Sequence, residues 1–328
     1  MRKDLQEIIY YATKAPSGHN TQPWKFQIKE NKVLILPDFD RSLPVVDQDN
    51  HALFISLGCA TENLVVAANH FGYAADVSIL NAQGGIIQVT LVKVNGVTDN
   101  KLFHEIEIRQ STRNMYNGEA IPSEHLDILL QAAKQEHVEC RIFTAKKEIE
   151  PIIELVKEGC VRQFENPAFV DELVHWIRFN RNKAEEKNDG LYSAASGNPN
   201  VPEWFGKFIM GIAVTASSEA KKCEDQIKSS SGLAVFIGEK DDIVSWINLG
   251  RSFERFALTA TSLGIHNAHE NMPCEERPVR EKFAEWLGLE NGEQPLLLVR
   301  IGYSQKMPYS NRRPVEEVLT TTEEVISV

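Results

Sequence analysis

The chain holds few cysteines and spaces none of them for a metal or a disulfide framework. Cys59, Cys140, Cys160, Cys223 and Cys274 are five scattered thiols in 328 residues, an odd count without a CxxC pair. Free, idle thiols are the expectation. No apolar run reaches the length that suggests a bilayer span, and the opening MRKDLQEIIYYATK is an amphipathic pattern carrying acids, unlike an export signal. A cytoplasmic protein with no membrane partner is expected. Basic residues are the minority: 35 Lys plus Arg against 46 Asp plus Glu leave a net charge of −11, which disfavours a broad nucleic-acid surface. No GxGxxG follows a strand, no GxxxxGK[ST] occurs, and the nine histidines include no HExxH. Rossmann, P-loop and zinc-protease chemistry are therefore not indicated.

What is present is a globular composition, 42% apolar, with enough chain for one large domain or two smaller ones. Residues 4–14 put Leu5, Ile8, Ile9 and Ala12 on one helical face, and Pro16-Ser17-Gly18 stops that helix. Trp24–Ile28 and Val33–Leu36 read as a hairpin around Glu30-Asn31-Lys32. A long helix follows at about 51–72, with Leu57, Thr61, Leu64, Ala68 and Phe71 on one face. Ile87–Val94 reads as a further strand, and the polar stretch Gly96–Glu107 is the candidate boundary between residues 1–100 and 101–328.

The long helix is repeated 192 residues later. Ile55-Ser56-Leu57-Gly58 matches Ile247-Asn248-Leu249-Gly250, and the same register pairs Glu62 with Glu254, Ala68 with Ala260 and Gly72 with Gly264. Helical periodicity alone explains apolar matches, but glycine inside a helix costs roughly 1 kcal/mol and needs a packing reason. A diverged internal duplication is the expectation. Between the copies, residues of about 164–210 have no counterpart; Glu172–Phe179 looks helical and Ser196–Pro202 is loop chemistry. Trp176, Phe179, Tyr192, Trp204 and Phe205 are many rings for a solvated excursion, which favours a lid against a cavity.

Three strings carry chemistry. Ala15-Pro16-Ser17-Gly18-His19-Asn20-Thr21-Gln22-Pro23-Trp24 packs several polar groups into one turn; read alone, Ser17 and Asn20 need do no more than satisfy their own backbone. Arg109-Gln110-Ser111-Thr112-Arg113 offers two guanidinium forks and a hydroxyl within five residues, a set suited to a phosphate but also to a solvated basic patch. Arg300-Ile301-Gly302-Tyr303 leads on to Arg312-Arg313-Pro314 near the terminus.

Together these strings resemble the nitroreductase superfamily, over most of residues 4–319. The resemblance implies an α+β fold and one bound FMN. By it, Pro16, Ser17, Asn20 and Gln22 line the flavin loop, Arg109 and Ser111 hold phosphate and ribityl, and Arg113 points to the N1/O2 end of the ring. Arg312 returns to the phosphate, with Arg313 a weaker candidate. His266 and His269 lie where main chain passes along the flavin, so His269 is the side chain to watch, whereas His19 is expected to face solvent. The strings are split: the first half has the loop without an RxSxR opening, and the second has both arginine strings but no such loop. Each half supplies what the other lacks, which resembles the two-lobed Acg-type branch, two tandem degenerate halves forming an intrachain pseudo-dimer. The implied activity is reduction of nitroaromatic or quinone-type acceptors by NADH or NADPH through the flavin, without a protein nucleophile. Flavin storage under the lid is the alternative, and the chain could be a monomer or self-associate further.

Overall fold

The computed structural model describes residues 2–80, 84–94, 101–212, 214–290 and 292–320. It is an α+β arrangement of two four-stranded antiparallel sheets around a pair of crossed central helices. The first unit runs α1 (Arg2–Ala12), β1 (Trp24–Lys29), β2 (Lys32–Pro37), α2 (His51–His70), β3 (Tyr73–Leu80), β4 (Ile86–Lys93), with strand order β1-β2-β4-β3. The second runs α3 (Ser123–Ala132), β5 (Val138–Phe143), then α4 (Lys146–Glu165) to α8 (Ala216–Lys228), and continues with β8 (Gly232–Gly238), α9 (Ile243–Ser262), β9 (His266–His269) and β10 (Gln294–Gly302). Its order is β5-β8-β10-β9, the same topology with the same partners.

Between α4 and α8 lie α5 (Pro167–Trp176), β6 (Ile177–Arg178), α6 (Arg181–Lys187), β7 (Leu191–Tyr192) and α7 (Glu203–Ile212). Short helices α10 (Met272–Glu275) and α11 (Arg277–Leu287) precede β10, and α12 (Val315–Val318) follows it. The chain added between β5 and β8 is therefore residues 144–231, longer than the expected 164–210, because α4 and α8 form stems on either side of that stretch. Residues 95–100, on which much of the expected boundary falls, lie outside the described residues. Strand β3 escaped the sequence pattern, since the Ala74-Ala75-Asp76 run after Tyr73 has weak strand propensity; pairing with β4 from Tyr73↔Lys93 to Leu80↔Ile86 makes it a strand.

The centre is set by α2 and α9. Both N-termini are held by aspartate: Asp47 carboxylate oxygens accept from Ala52 N and Leu53 N at 2.9 Å, and Asp242 accepts from Ser245 N at 2.8 Å. The helices cross at Gly58 and Gly250. A Cβ on Gly58 would lie 2.1 Å from Ile247 O, and one on Gly250 would lie 2.0 Å from Ile55 O, so the paired glycines are what lets the two backbones touch. Beyond the helix ends, Gly72 (φ 76°) and Gly264 (φ 72°) take the same left-handed turn. By length and composition α2 could cross a membrane, contrary to the sequence expectation, but 94% of that window is buried inside the fold. One continuous core joins α1, α2, α9 and a face of both sheets, through Trp24, Leu57, Phe236, Phe253 and Phe256 among others.

Candidate functional site

A cavity of about 480 Å³ lies between the two units and the added chain. Its floor is Ile55, Ser56 and Cys59 of α2 with Phe253 of α9; one wall is Pro16, Ser17, Gly18 and His19; another is Ala268, His269 and Glu270 at the end of β9. Arg113 and Arg300 supply positive charge. The added chain roofs it with Phe164, Phe169, Leu173, Ile177 and Phe179, and with Ile209 and Met210 of α7. The lining is mainly apolar with a few convergent polar groups, the ordinary character of a small-molecule site.

Of the expected site residues, Pro16, Ser17, Arg113 and His269 line this cavity. Ser17 Oγ accepts from Gln22 N at 2.9 Å and so shapes the loop as well. Arg109 and Arg312, some two hundred residues apart, converge: their Nη2 atoms both donate to Lys14 O, at 2.9 and 3.4 Å. Arg109 Nε is 3.1 Å from the buried Glu254 carboxylate, but it is not aligned for a hydrogen bond, and Arg312 Nε also has no acceptor. Burial and the neighbouring Arg109, only partly offset by Glu254, push the Arg312 guanidinium down to about 9. Arg113 is likewise lowered, by burial first and Arg300 among its neighbours; the opposing Glu270 charge that it feels is already held by Arg300 Nε at 2.9 Å. The corner formed by Lys14, Arg109, Arg113 and Arg312 thus carries more positive charge than Glu254 balances.

Ser111 sits beside it, its backbone bridged to Asn267. Asn20 and Gln22 face elsewhere. Asn20 Nδ2 donates to Gly190 O at 3.0 Å and to Asn311 O at 3.1 Å; Gln22 Nε2 donates to Asn188 O at 2.9 Å, while its Oε1 accepts from Arg313 N at 2.8 Å. These amides sew the loop to the added chain and to the C-terminal tail. Arg313 leans towards Glu317 and Asp38, at 3.5 and 3.9 Å.

His19 departs from the sequence expectation, for it faces the cavity rather than open solvent. Its backbone is left-handed (φ 45°), a strained geometry for a residue with a Cβ, and this turns the ring inward. Burial and Arg113 hold it down to about 4. Burial, Arg113 and Arg109 hold His269 down to about 3, so both rings are neutral at pH 7. His266 instead pairs with Thr112 Oγ1 at 2.9 Å.

Of the five rings expected to form a lid, only Phe179 lines the cavity. Trp176 packs beneath it with Leu43, Val46 and Phe169, whereas Trp204 of α7 is 73% exposed. What fastens the roof is polar: Asp189 receives Arg178 Nε and Nη2 at 3.0 and 2.6 Å and also binds Arg41 of the first unit. Sequence reading missed this tie, and the buried Glu270–Arg300 pair, because each joins residues without local pattern.

No protein-family model matches the chain. Across 335 aligned residues, 98% of this chain and 92% of the relative, it is 23% identical to a Mycobacterium tuberculosis protein named "Putative NAD(P)H nitroreductase", known from two strains. Among solved structures it is similar to a Bacillus cereus nitroreductase-like protein (TM-score 0.42, 16% identity, 70% of this chain and 100% of that one) and to a Bacteroides fragilis nitroreductase with bound FMN (TM-score 0.40, 16% identity, 70% and 98%). Over nearly its whole length the chain is thus similar to a protein named as a nitroreductase.

Proposed function

We propose that the chain is an FMN-dependent oxidoreductase that takes reducing equivalents from NADH or NADPH and delivers them to a small electron-poor acceptor, a nitroaromatic or a quinone. The observation that carries this reading is the surplus of guanidinium charge at one end of an apolar cavity. Arg109 and Arg312 crowd together at a cost that an anion would repay, and Arg312 Nε is buried with nothing to donate to. A phosphate monoester fits that need, since charge-assisted hydrogen bonds to arginine forks are the strong ones. The apolar space beyond suits a flat aromatic ring.

On this reading Arg109, Ser111 and Arg312 would hold the phosphate, and Arg113 would lie towards the N1/O2 end of the ring, where a positive charge favours the reduced anion. Pro16, Ser17 and His269 wall it, while Asn20, Gln22 and Arg313 fix the loop and tail around it. When bound, the flavin supplies the hydride-accepting centre, and the protein supplies position and field. His19 and His269, held neutral, can donate or accept a hydrogen bond without adding charge. The two topologically matched units we read as the halves of a dimer joined in one chain, of which a single site survives. On this reading an ion pair stands in place of the second site. At the register position of Cys59 the other helix carries Arg251, whose Nε is 3.2 Å from the buried Glu62, and Arg255 joins it there.

A second reading, an FMN store, draws support from the roof, which is tied down by Asp189 and by the Asn20 and Gln22 amides. Anaerobic stopped-flow mixing of the FMN-loaded protein with NADH or NADPH separates the two. Bleaching of the flavin absorbance supports the reductase, retained FMN that no nicotinamide bleaches supports the store, and a chain that does not bind FMN contradicts both.

A further inference from the structure

The loop between α1 and β1 holds three residues left-handed: His19, Asn20 and Gln22, with φ of 45°, 54° and 54°. Such backbone is costly for any residue with a Cβ, and asparagine tolerates it better than most. The chain on either side of His19 is clamped. Ser17 O accepts from Asn20 N at 3.0 Å, Ser17 Oγ accepts from Gln22 N at 2.9 Å, and the Asn20 and Gln22 amides reach Gly190 O, Asn311 O and Asn188 O. The fold thus over-determines a strained residue, and the outcome is a ring that lines the cavity. That ring is uncommitted. Its Nδ1 is buried without a hydrogen-bond partner, and among the described residues Nε2, at the tip of the ring, has none either. Its neighbours in the cavity differ: Ser56 Oγ donates to Ala52 O at 2.7 Å, Cys59 Sγ donates to Gly250 O at 3.3 Å, and the His269 ring packs edge-on to Phe253 with centroids 5.1 Å apart.

We infer that the Nε2–H of His19 seats the electron acceptor, donating to a nitro or carbonyl oxygen carried on a flat ring. The inference rests on the reductase reading above and adds to it the group that orients the acceptor. A buried N–H without a partner is rarer than a buried acceptor without one, so the neutral ring keeps its proton on Nε2 and leaves Nδ1 bare. Burial and Arg113 hold the imidazole neutral at pH 7. Phe169, Leu173 and Phe179 of the roof offer an aromatic ring apolar contact, but apolar contact alone does not choose which end of it is reduced. One fixed donor does. A hydride derived from the nicotinamide leaves negative charge on the oxygen that His19 faces. A quinone becomes the hydroquinone anion, which a proton from water completes; a nitro group becomes the N-hydroxy anion, which expels hydroxide to give the nitroso compound. A preorganised donor aimed at developing charge counts for most where water is excluded, and a neutral imidazole provides it without giving up its proton.

The test uses NMR of the full chain, nitrogen-15-labelled at histidine, with and without oxidised FMN; the His19 signals are those that vanish in His19→Gln. At pH 6 the ring should be neutral with its proton on Nε2. Nitrobenzene should shift the Nε2 resonance, whereas toluene, of similar shape without the oxygens, should not. Nitrobenzene should bind several-fold more weakly to His19→Leu and recover in His19→Gln, whose side-chain amide reaches about as far as Nε2; toluene should bind all three alike. In the FMN-loaded chain, kcat for nitrobenzene should fall on the order of 10²-fold in His19→Leu. A proton on Nδ1, a charged ring at pH 6, equal shifts with the two probes, or no recovery in His19→Gln would each overturn the inference. Should His19→Leu not fold, the tautomer and the paired shifts in wild type decide it. A bound flavin that no nicotinamide bleaches would end the reductase reading and this inference with it. Normal bleaching with nitrobenzene affinity unchanged in His19→Leu would end the inference alone.

Discussion

The two halves share a topology and a central helix pair but handle the same buried acid differently. On α2, Glu62 is met by Arg251 and Arg255 from the facing helix. On α9, the register-matched Glu254 is met by Arg109 from a loop, and that arginine shares a carbonyl with Arg312. In the first case the charge is settled within the helix pair. In the second the two arginines are buried, whereas Arg251 and Arg255 are 18% and 41% exposed, and that burial makes the positive charge costly to the folded chain. Access to water, and not the count of charges, thus separates the two sides.

The sharpest way to break the symmetry is at the helix crossing. Gly58→Leu would drive a side chain into Ile247 O; because the obstacle is backbone, overpacking should exceed the usual 1–3 kcal/mol. Loss of a cooperative unfolding transition, or a midpoint lowered by many degrees, is expected by circular dichroism. A near-wild-type midpoint would show that the helices can separate without cost.

The next effect sharpens the contrast between the acids and their arginines. Arg312→Ala should weaken FMN binding by about 1.5–3 kcal/mol, the worth of a charge-assisted hydrogen bond, as read by fluorescence titration. It should not lower the stability of the flavin-free chain, because a guanidinium held well below its ordinary range, at about 9, is a charge the fold tolerates at a cost. Glu62→Gln should do the reverse, costing about 2 kcal/mol of stability and leaving FMN affinity unchanged. If both variants act on the same quantity, the division between a settled and a poised half is wrong.

A smaller effect concerns pH. The folded chain holds His269 down to about 3 from an ordinary 6.5, so between those values the unfolded chain binds more protons at this position and stability falls as pH falls. Glu270, raised from 4.5 to about 7, works the other way: its contribution is full below 4.5 and is lost as pH rises through 7. Urea unfolding from pH 4 to 8 should therefore show wild type losing ground to His269→Asn as pH drops below 6.5. A gap between the two that does not vary with pH would mean that His269 is not held neutral. The smallest effect is expected at Gly264→Ala, where nothing obstructs a Cβ but φ is 72°; left-handed backbone costs an alanine roughly 1–2 kcal/mol.

Much of this was legible in sequence where a local pattern existed. The 192-residue register marked Gly58 and Gly250 as helix glycines with a packing reason, and they meet where the helices cross; Gly72 and Gly264, read in the same way, instead lie just past the helix ends in a left-handed turn. The arginine strings were legible by residue type and spacing. The inward turn of His19 was not, since it depends on a left-handed backbone that the tertiary fold imposes. Nor could sequence say that Asn20 and Gln22 reach Gly190 and Asn188, because their partners lie in an added segment with no repeat to compare. The roof's rings misled for a related reason. Aromatic content marks burial of some kind, and only packing decides whether a ring meets a cavity, as Phe179 does, or solvent, as Trp204 does.

The central claim is that one complementary site survives in a chain built from two matching halves. Quantifying the FMN released by denaturing a saturated, gel-filtered sample, against protein by amino-acid analysis, tests it most directly. One flavin per chain is the expected result. Two per chain would mean that the Glu62, Arg251 and Arg255 side also accepts a flavin, and would contradict the account.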